Sequence, residues 1–163
     1  MARKGQSIPI DFVAGLFIFL FMLAFFLMVW DSYTERYIAM ESSIDMETTA
    51  IGIADLLVST GGSPGNWTAE PLAAQSIGLA WRQNELDWYR LSALSSLPYA
   101  SAKMLLGADR EFAIKIETLD GGRLATYPPG WAGAAASGKA VEVTRVAMMN
   151  GSAVNVKVQV YEN

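Results

Sequence analysis

The hydrophobic pattern changes character twice along the chain. From Phe12 to Trp30 no residue is charged and nearly all are large and apolar. A run of this kind predicts a helix greasy on every side; at about 1.5 Å per residue it covers roughly 28 Å, close to the roughly 30 Å hydrocarbon core of a bilayer. Arg3 and Lys4 precede it, whereas Asp31, Glu35 and Asp45 follow. The positive-inside rule then predicts a single-pass span with a cytoplasmic N-terminus and an exterior C-terminal domain. Past Trp30 the helical period continues on one side only. Trp30, Tyr37, Ile44, Ile51 and Val58 recur every seven residues with Tyr33, Met40 and Ala54 between them, while Glu35, Arg36, Glu41, Asp45 and Glu47 fill the other faces. That seam requires a partner. No proline or strong breaker separates Pro9 from Gly61, so one helix of about 50 residues, roughly 75 Å, is predicted, with Gly52 as its weakest point.

Thr60 to Asn66 is dense in turn formers and ends the helix. Ile77 to Ala80 is a short apolar piece. Leu86, Tyr89, Leu91, Leu94, Leu97 and Tyr99 follow at imperfect helical spacing, broken near Pro98, and Ala100 to Leu106 reads as one more helix closed by Gly107. The remainder has a period of two. Phe112, Ile114 and Ile116 alternate with Ala113, Lys115 and Glu117; Asp120-Gly121-Gly122 supplies a turn, and Arg123 to Tyr127 returns. Pro128 to Gly138 is a loop whose Trp131 tucks against the domain. Val141, Val143 and Arg145 alternate with Glu142 and Thr144 up to the hairpin dipeptide Asn150-Gly151, and the return strand sets Val154, Val156, Val158 and Val160 on one side. The expected class is α+β: a long N-terminal helix packed on an antiparallel sheet of about four strands, the lollipop outline of a type IV pilin.

Composition narrows the chemistry. With 163 residues and one early span there is room for a single domain of about 130 residues. Cysteine and histidine are both absent, which removes disulfides, thiol nucleophiles, the commonest transition-metal ligand and the usual general base. Net charge is −4 and most of the acid lies beyond the span, so nothing points to nucleic acid. The closest approaches to a carboxylate pair, Glu85 with Asp87 and Asp109 with Glu111, sit two apart in polar turns and read as solvating groups. No phosphate-cradling glycine motif or calcium loop occurs. The expectation is therefore of no catalytic residue, no cofactor and no metal. Trp81, Trp88 and Tyr89 read as core or subunit-interface packing in preference to a sugar-stacking platform. Asn66-Trp67-Thr68 and Asn150-Gly151-Ser152 are sequons, making Asn66 and Asn150 candidate glycan sites on an exterior domain.

The N-terminal order Arg3-Lys4-Gly5-Gln6-Ser7, then Ile8-Pro9-Ile10-Asp11-Phe12 and the apolar run, has no small-residue cleavage site after the run. It resembles the class III signal of archaeal type IV-like pilins. That resemblance implies cutting by a membrane aspartyl peptidase between Gly5 and Gln6, so that the hydrophobic helix is kept. It also implies a docking role for Asp11, matching an acidic residue near position five of the mature relatives; counted from Gln6, Asp11 is sixth. Without the resemblance, Asp11 reads as the interfacial edge of an ordinary anchor. Asn66-Trp67, Ile77 to Ala80 and Lys103 to Gly107 are similar to pieces found in a subset of archaeal pilin-like proteins.

The organisation expected is a leader over 1–5, a transmembrane and filament-core helix over 6–30, its amphipathic continuation over 31–60, a turn with short helices over 61–110 and the sheet over 111–163. The function the resemblance implies is that of a structural pilus subunit, whose partners are its own copies, the prepilin peptidase, the assembly platform and the membrane. The alternatives are a membrane-anchored binding module that does not polymerise and a pseudopilin of a secretion or uptake machine.

Overall fold

Residues 7–131 and 138–162 are described by the computed structural model. Helix α1, Ser7–Ser59, runs unbroken through Gly52, where the chain leaves open space around the missing side chain. The chain divides after Ser42 into two units. In the first, every described residue from Ile10 to Trp30 is exposed except half-buried Val29. The most apolar stretch has a mean hydropathy of 2.9, which makes α1 long and apolar enough to cross a membrane by length and composition. Just past it, the hydroxyls of Ser32 and Thr34 donate to the carbonyls of Met28 and Trp30, each at 3.0 Å, so these first polar side chains find acceptors within the helix.

The second unit begins with the last turns of α1. Met46, Ala50, Ile53, Ala54, Leu57 and Val58 are buried. Their spacing, in steps of three and four, draws one stripe down the helix. This is a correction to the heptad seam, of which only Ala54 and Val58 are buried; Ile44 and Ile51 stay exposed. On a helix of 3.6 residues per turn a strict heptad set drifts about 20° per repeat, so only its last members swing onto the buried stripe.

Where α1 ends, its last carbonyls would be orphaned. The segment after the turn takes them: Leu79 N–H donates to Leu57 at 3.0 Å, Asn84 N–H to Val58 at 2.8 Å, and Ala80 N–H to the Thr60 carbonyl at 2.9 Å. The approach is close enough that a Cβ on Gly78 would lie 2.1 Å from the Thr60 carbonyl oxygen. Trp67, buried under the same turn, donates its indole N–H to the Gly61 carbonyl at 2.8 Å.

The chain then forms β1, Ala80–Arg82; β2, Glu85–Leu86; helices α2, Trp88–Ser96, and α3, Tyr99–Leu105; and β3, Glu111–Thr118; β4, Arg123–Tyr127; β5, Ala140–Met149; and β6, Ser152–Tyr161. Both predicted hairpins are present. Antiparallel pairing of β3 with β6 joins them into one sheet of order β1-β2-β5-β6-β3-β4. The sheet has six strands where four were expected, and it is mixed, because β2 lies parallel to β5. Strands of two or three residues carry too little alternation to betray themselves, and Leu86, read as helical, belongs to β2. The helix starts later, where Asp87 caps α2 by accepting the Tyr89 N–H at 2.9 Å.

One face of the sheet is apolar. Phe112, Ile114, Ile116, Tyr127 and the four valines of β6 are buried in a single cluster with the α1 stripe and with Leu91, Leu94 and Leu97. The other face carries Lys115, Glu117, Glu142 and Lys157. Lys115 and Lys157 lie directly opposite one another, a like-charge pairing relieved by Glu142 at 3.4 Å from Lys115 and Glu117 at 2.7 Å from Lys157. Trp131 stacks on Tyr161 with ring centres 6.3 Å apart and lies under the Lys115 ammonium, so it does tuck against the domain.

Gly78→Ala is expected to cost about 2–3 kcal/mol, because the new methyl meets backbone and cannot be accommodated by a rotamer change. Gly65→Ala, which fills open space in the same connection, should stay within about 0.5 kcal/mol. Thermal unfolding of the full chain in detergent micelles, followed by circular dichroism, checks the pair.

Candidate functional site

The largest exposed apolar surface is the first part of α1. Asp11 and Asp31, both exposed, bracket it at a separation of about 30 Å of helix, the thickness of a hydrocarbon core. Phe26 and Trp30 pack ring to ring one turn apart at its far end, 6.0 Å between centres. Asp11 therefore sits at a boundary, one turn or less from residues that water would not tolerate. Gly5 and Gln6, the predicted leader junction, lie outside the described residues.

The sequon asparagines are in the second unit and are not brought together. Asn66 is exposed in the connection after α1, next to fully buried Trp67. Asn150 is exposed at the tip of the β5–β6 hairpin, where it and Gly151 adopt φ of 51° and 79°, the primed turn that the Asn-Gly dipeptide favours. Both residues are exposed to solvent.

One member of each carboxylate pair, Asp87 and Glu111, has a structural role. Asp87 caps α2 and lies 3.5 Å from Arg90. Glu111 bonds Lys103 at 2.7 Å, and Arg110 pairs with Glu162. Those four charged groups, with Asp109 and Tyr161, line a cleft of about 390 Å³ in which cations and anions largely neutralise one another. Among the described residues no three acidic side chains converge as metal ligands would. Trp81, Trp88 and Tyr89 are 65%, 49% and 79% exposed, which corrects the core half of the expectation of core or subunit-interface packing. Their strand and helix bury other positions, Ala80 on β1 and Leu91 and Leu94 on α2.

A contact that sequence reading missed ties α1 to the sheet. Arg145 on β5 donates to both oxygens of Asp55, at 2.6 and 3.3 Å. The two residues are 90 positions apart in sequence. The one available signal was a cation at the same alternation as Val141 and Val143, on the apolar side of its strand. The guanidinium holds the Asp55 carboxyl below its ordinary pKa against the opposing effect of burial. Lys103 does the same for Glu111, and Lys157 does so for Glu117. Burial raises the pKa of the Tyr99 hydroxyl, which donates to the Phe112 carbonyl and accepts its N–H.

No protein-family model matches the chain, and no curated protein or solved structure is significantly similar to it. The reading of function rests on the chain's own residues.

Three depressed carboxyls stabilise the fold when ionised. Their contribution is present above the ordinary carboxylate range and is lost as pH falls through their lowered values. The melting temperature should be level from about pH 7 to pH 5 and fall below about pH 4. A triple variant, Asp55→Asn with Glu111→Gln and Glu117→Gln, should start lower and fall less steeply in the same titration.

Proposed function

We propose that this chain is a structural subunit of a type IV-like pilus of the archaeal kind, assembled through the first part of α1 after leader removal between Gly5 and Gln6. One observation carries the reading. A single unbroken helix is uncharged and, apart from half-buried Val29, exposed on every side from Phe12 to Trp30, yet from Met46 to Val58 it is buried on one side by its own domain. The second stretch has its cover within the chain. The first does not, and only lipid or other copies of the same rod can supply it.

Assembly then moves the rod from lipid into a bundle of identical rods. Hydrocarbon burial is conserved in that transfer, so the gain comes from close helix packing and from Asp11 meeting a neighbour's new amino terminus at the bundle's inner edge. Retaining the rod is what distinguishes this path from ordinary secretion. The exposed Trp81, Trp88 and Tyr89 favour the second reading, an anchored module that binds a partner without polymerising.

The mature protein's N-terminus decides between them. Intact mass and N-terminal sequencing should find a chain beginning at Gln6, and sheared surface fractions should contain filaments by electron microscopy. A chain that keeps Arg3 and Lys4 and remains a detergent-soluble monomer overturns the pilin reading in favour of the anchored module. Asp11→Ala is expected to leave membrane insertion and leader cutting intact while sharply lowering the filament yield in those fractions.

A further inference from the structure

The chain folds back on itself at β1 and β2, which close around Gln83 and Asn84 with Arg82 and Glu85 as ladder partners. Every residue from Trp81 to Glu85 is exposed, and so are Trp88 and Tyr89 at the start of α2; Leu86 is the buried anchor between them. Trp81 is the extra residue of the β1 bulge, the kind of irregularity that re-aims a side chain away from its ladder. The backbone beneath is firmly held. The Asn84 N–H donates to the Val58 carbonyl at 2.8 Å, the Met148 N–H to Asn84 at 2.7 Å and the Asp87 N–H to Leu79 at 2.8 Å, so the hairpin is fastened to the end of α1, to β5 and to the segment before β1. Aromatic rings on a fixed backbone lose little freedom when something settles on them. The pairing of Ala80 with Leu86 leaves the backbones of Trp81 and Trp88 roughly 10–15 Å apart, one on either side of the anchor.

The polar groups between the rings decide what kind of partner fits. Arg82 and Glu85 carry opposite charges, and Asp87 lies 3.5 Å from Arg90, so the hairpin has no net charge with which to draw an anion or a cation. Yet Arg82 and Glu85 do not close on each other. Among the described residues the side chains of Arg82, Gln83 and Glu85 form no hydrogen bond and no ion pair. A protein surface laid over them would strip water from a free guanidinium and a free carboxylate, and interface cores are poor in charge for that reason. Sugar hydroxyls suit both groups. Each one donates and accepts, so the edge of a sugar ring accepts from Arg82 and Gln83 and donates to Glu85 without bringing charge of its own. The faintly positive C–H face of the same ring lies against the negative face of an indole.

We infer that the hairpin of Trp81, Arg82, Gln83 and Glu85, with Trp88 and Tyr89 beside it, binds a neutral oligosaccharide by ring stacking and hydroxyl hydrogen bonds. No neighbouring copy is needed, so the assignment applies to a filament subunit and to an anchored module alike, and its failure leaves the filament reading standing. A surface this open holds sugar at roughly millimolar Kd, and an array of copies on one support strengthens the hold by avidity.

The test uses the full-length chain in lipid nanodiscs with soluble hexasaccharides of glucose, mannose and N-acetylglucosamine, and a sulfated heparin hexasaccharide as the anionic contrast. Saturation-transfer NMR should show transfer to ring C–H protons of at least one neutral hexasaccharide and none to the sulfated one. Trp81→Ala and Trp88→Ala should each weaken that binding about five- to tenfold, the scale of one stacked ring, while Trp81→Phe keeps most of it. Arg82→Ala with Glu85→Ala changes only exposed side chains and should give a comparable loss with an unchanged melting temperature, which keeps the test independent of how the tryptophan variants fold. The assignment is overturned if no neutral hexasaccharide receives transfer, if only the sulfated one does, or if transfer is indifferent to these substitutions. Pairing of copies that Trp81→Ala abolishes, without sugar binding, overturns it in favour of a contact between subunits.

Discussion

A helix that is apolar on one side through its last turns, and whose final carbonyls point out of its end, needs both cover and hydrogen-bond donors. In this chain the two needs are met by adjoining pieces. The sheet's apolar face covers the stripe of Met46, Ile53 and Leu57, while the backbone of Leu79, Ala80 and Asn84 supplies donors to the helix end. Burial of this kind contributes about 25 cal/mol for each Å² removed from water, and an unpaired buried carbonyl would return a large part of that gain. Fastening the helix end is therefore as much a condition of the fold as packing its side. It also explains why residue 78 has no side chain: the strap can bond to the helix end only by coming closer than a Cβ permits.

Once the stripe is placed, other features follow. The strap that closes the helix end leads directly into β1 and β2, so the sheet acquires its short margin as a consequence of capping α1. Because β2 enters in the same direction as β5, that junction is parallel, whereas β1 lies antiparallel to β2 with a bulge at Trp81. Arg145, on the covered side of β5 but at its edge, reaches Asp55 instead of solvent. Trp81, on the short strand that follows the strap, is left outside the core.

The same helix carries two burial problems of different kinds. From Met46 onward apolar and polar positions are sorted by face, as they must be when one side meets a core and the other meets water. From Phe12 to Trp30 they are not sorted at all, which makes that stretch long and apolar enough to cross a membrane. Between these regimes lies the acidic seam, neither greasy enough for hydrocarbon nor covered by the chain's own sheet.

Much of this architecture was legible in the residues. The continuous helix, its end at Thr60, the two hairpins and the inward set of Val154 to Val160 all follow from period, breakers and turn chemistry, because each of those signals is local. The candidate positions Gly5, Gln6, Asp11, Asn66 and Asn150 rest on short motifs, and the fold adds only that Asp11, Asn66 and Asn150 are exposed. Tertiary structure alone decided which hairpin edges meet, that β2 runs parallel to β5, that Asp55 finds Arg145, and that the buried stripe is not the heptad seam. The physical reason is common to all four. Seam and stripe are both acceptable amphipathic faces of one helix, and any of several strand edges offers the same backbone donors. The choice among them is made by total burial and by closure of the helix end, quantities that no local stretch of sequence contains.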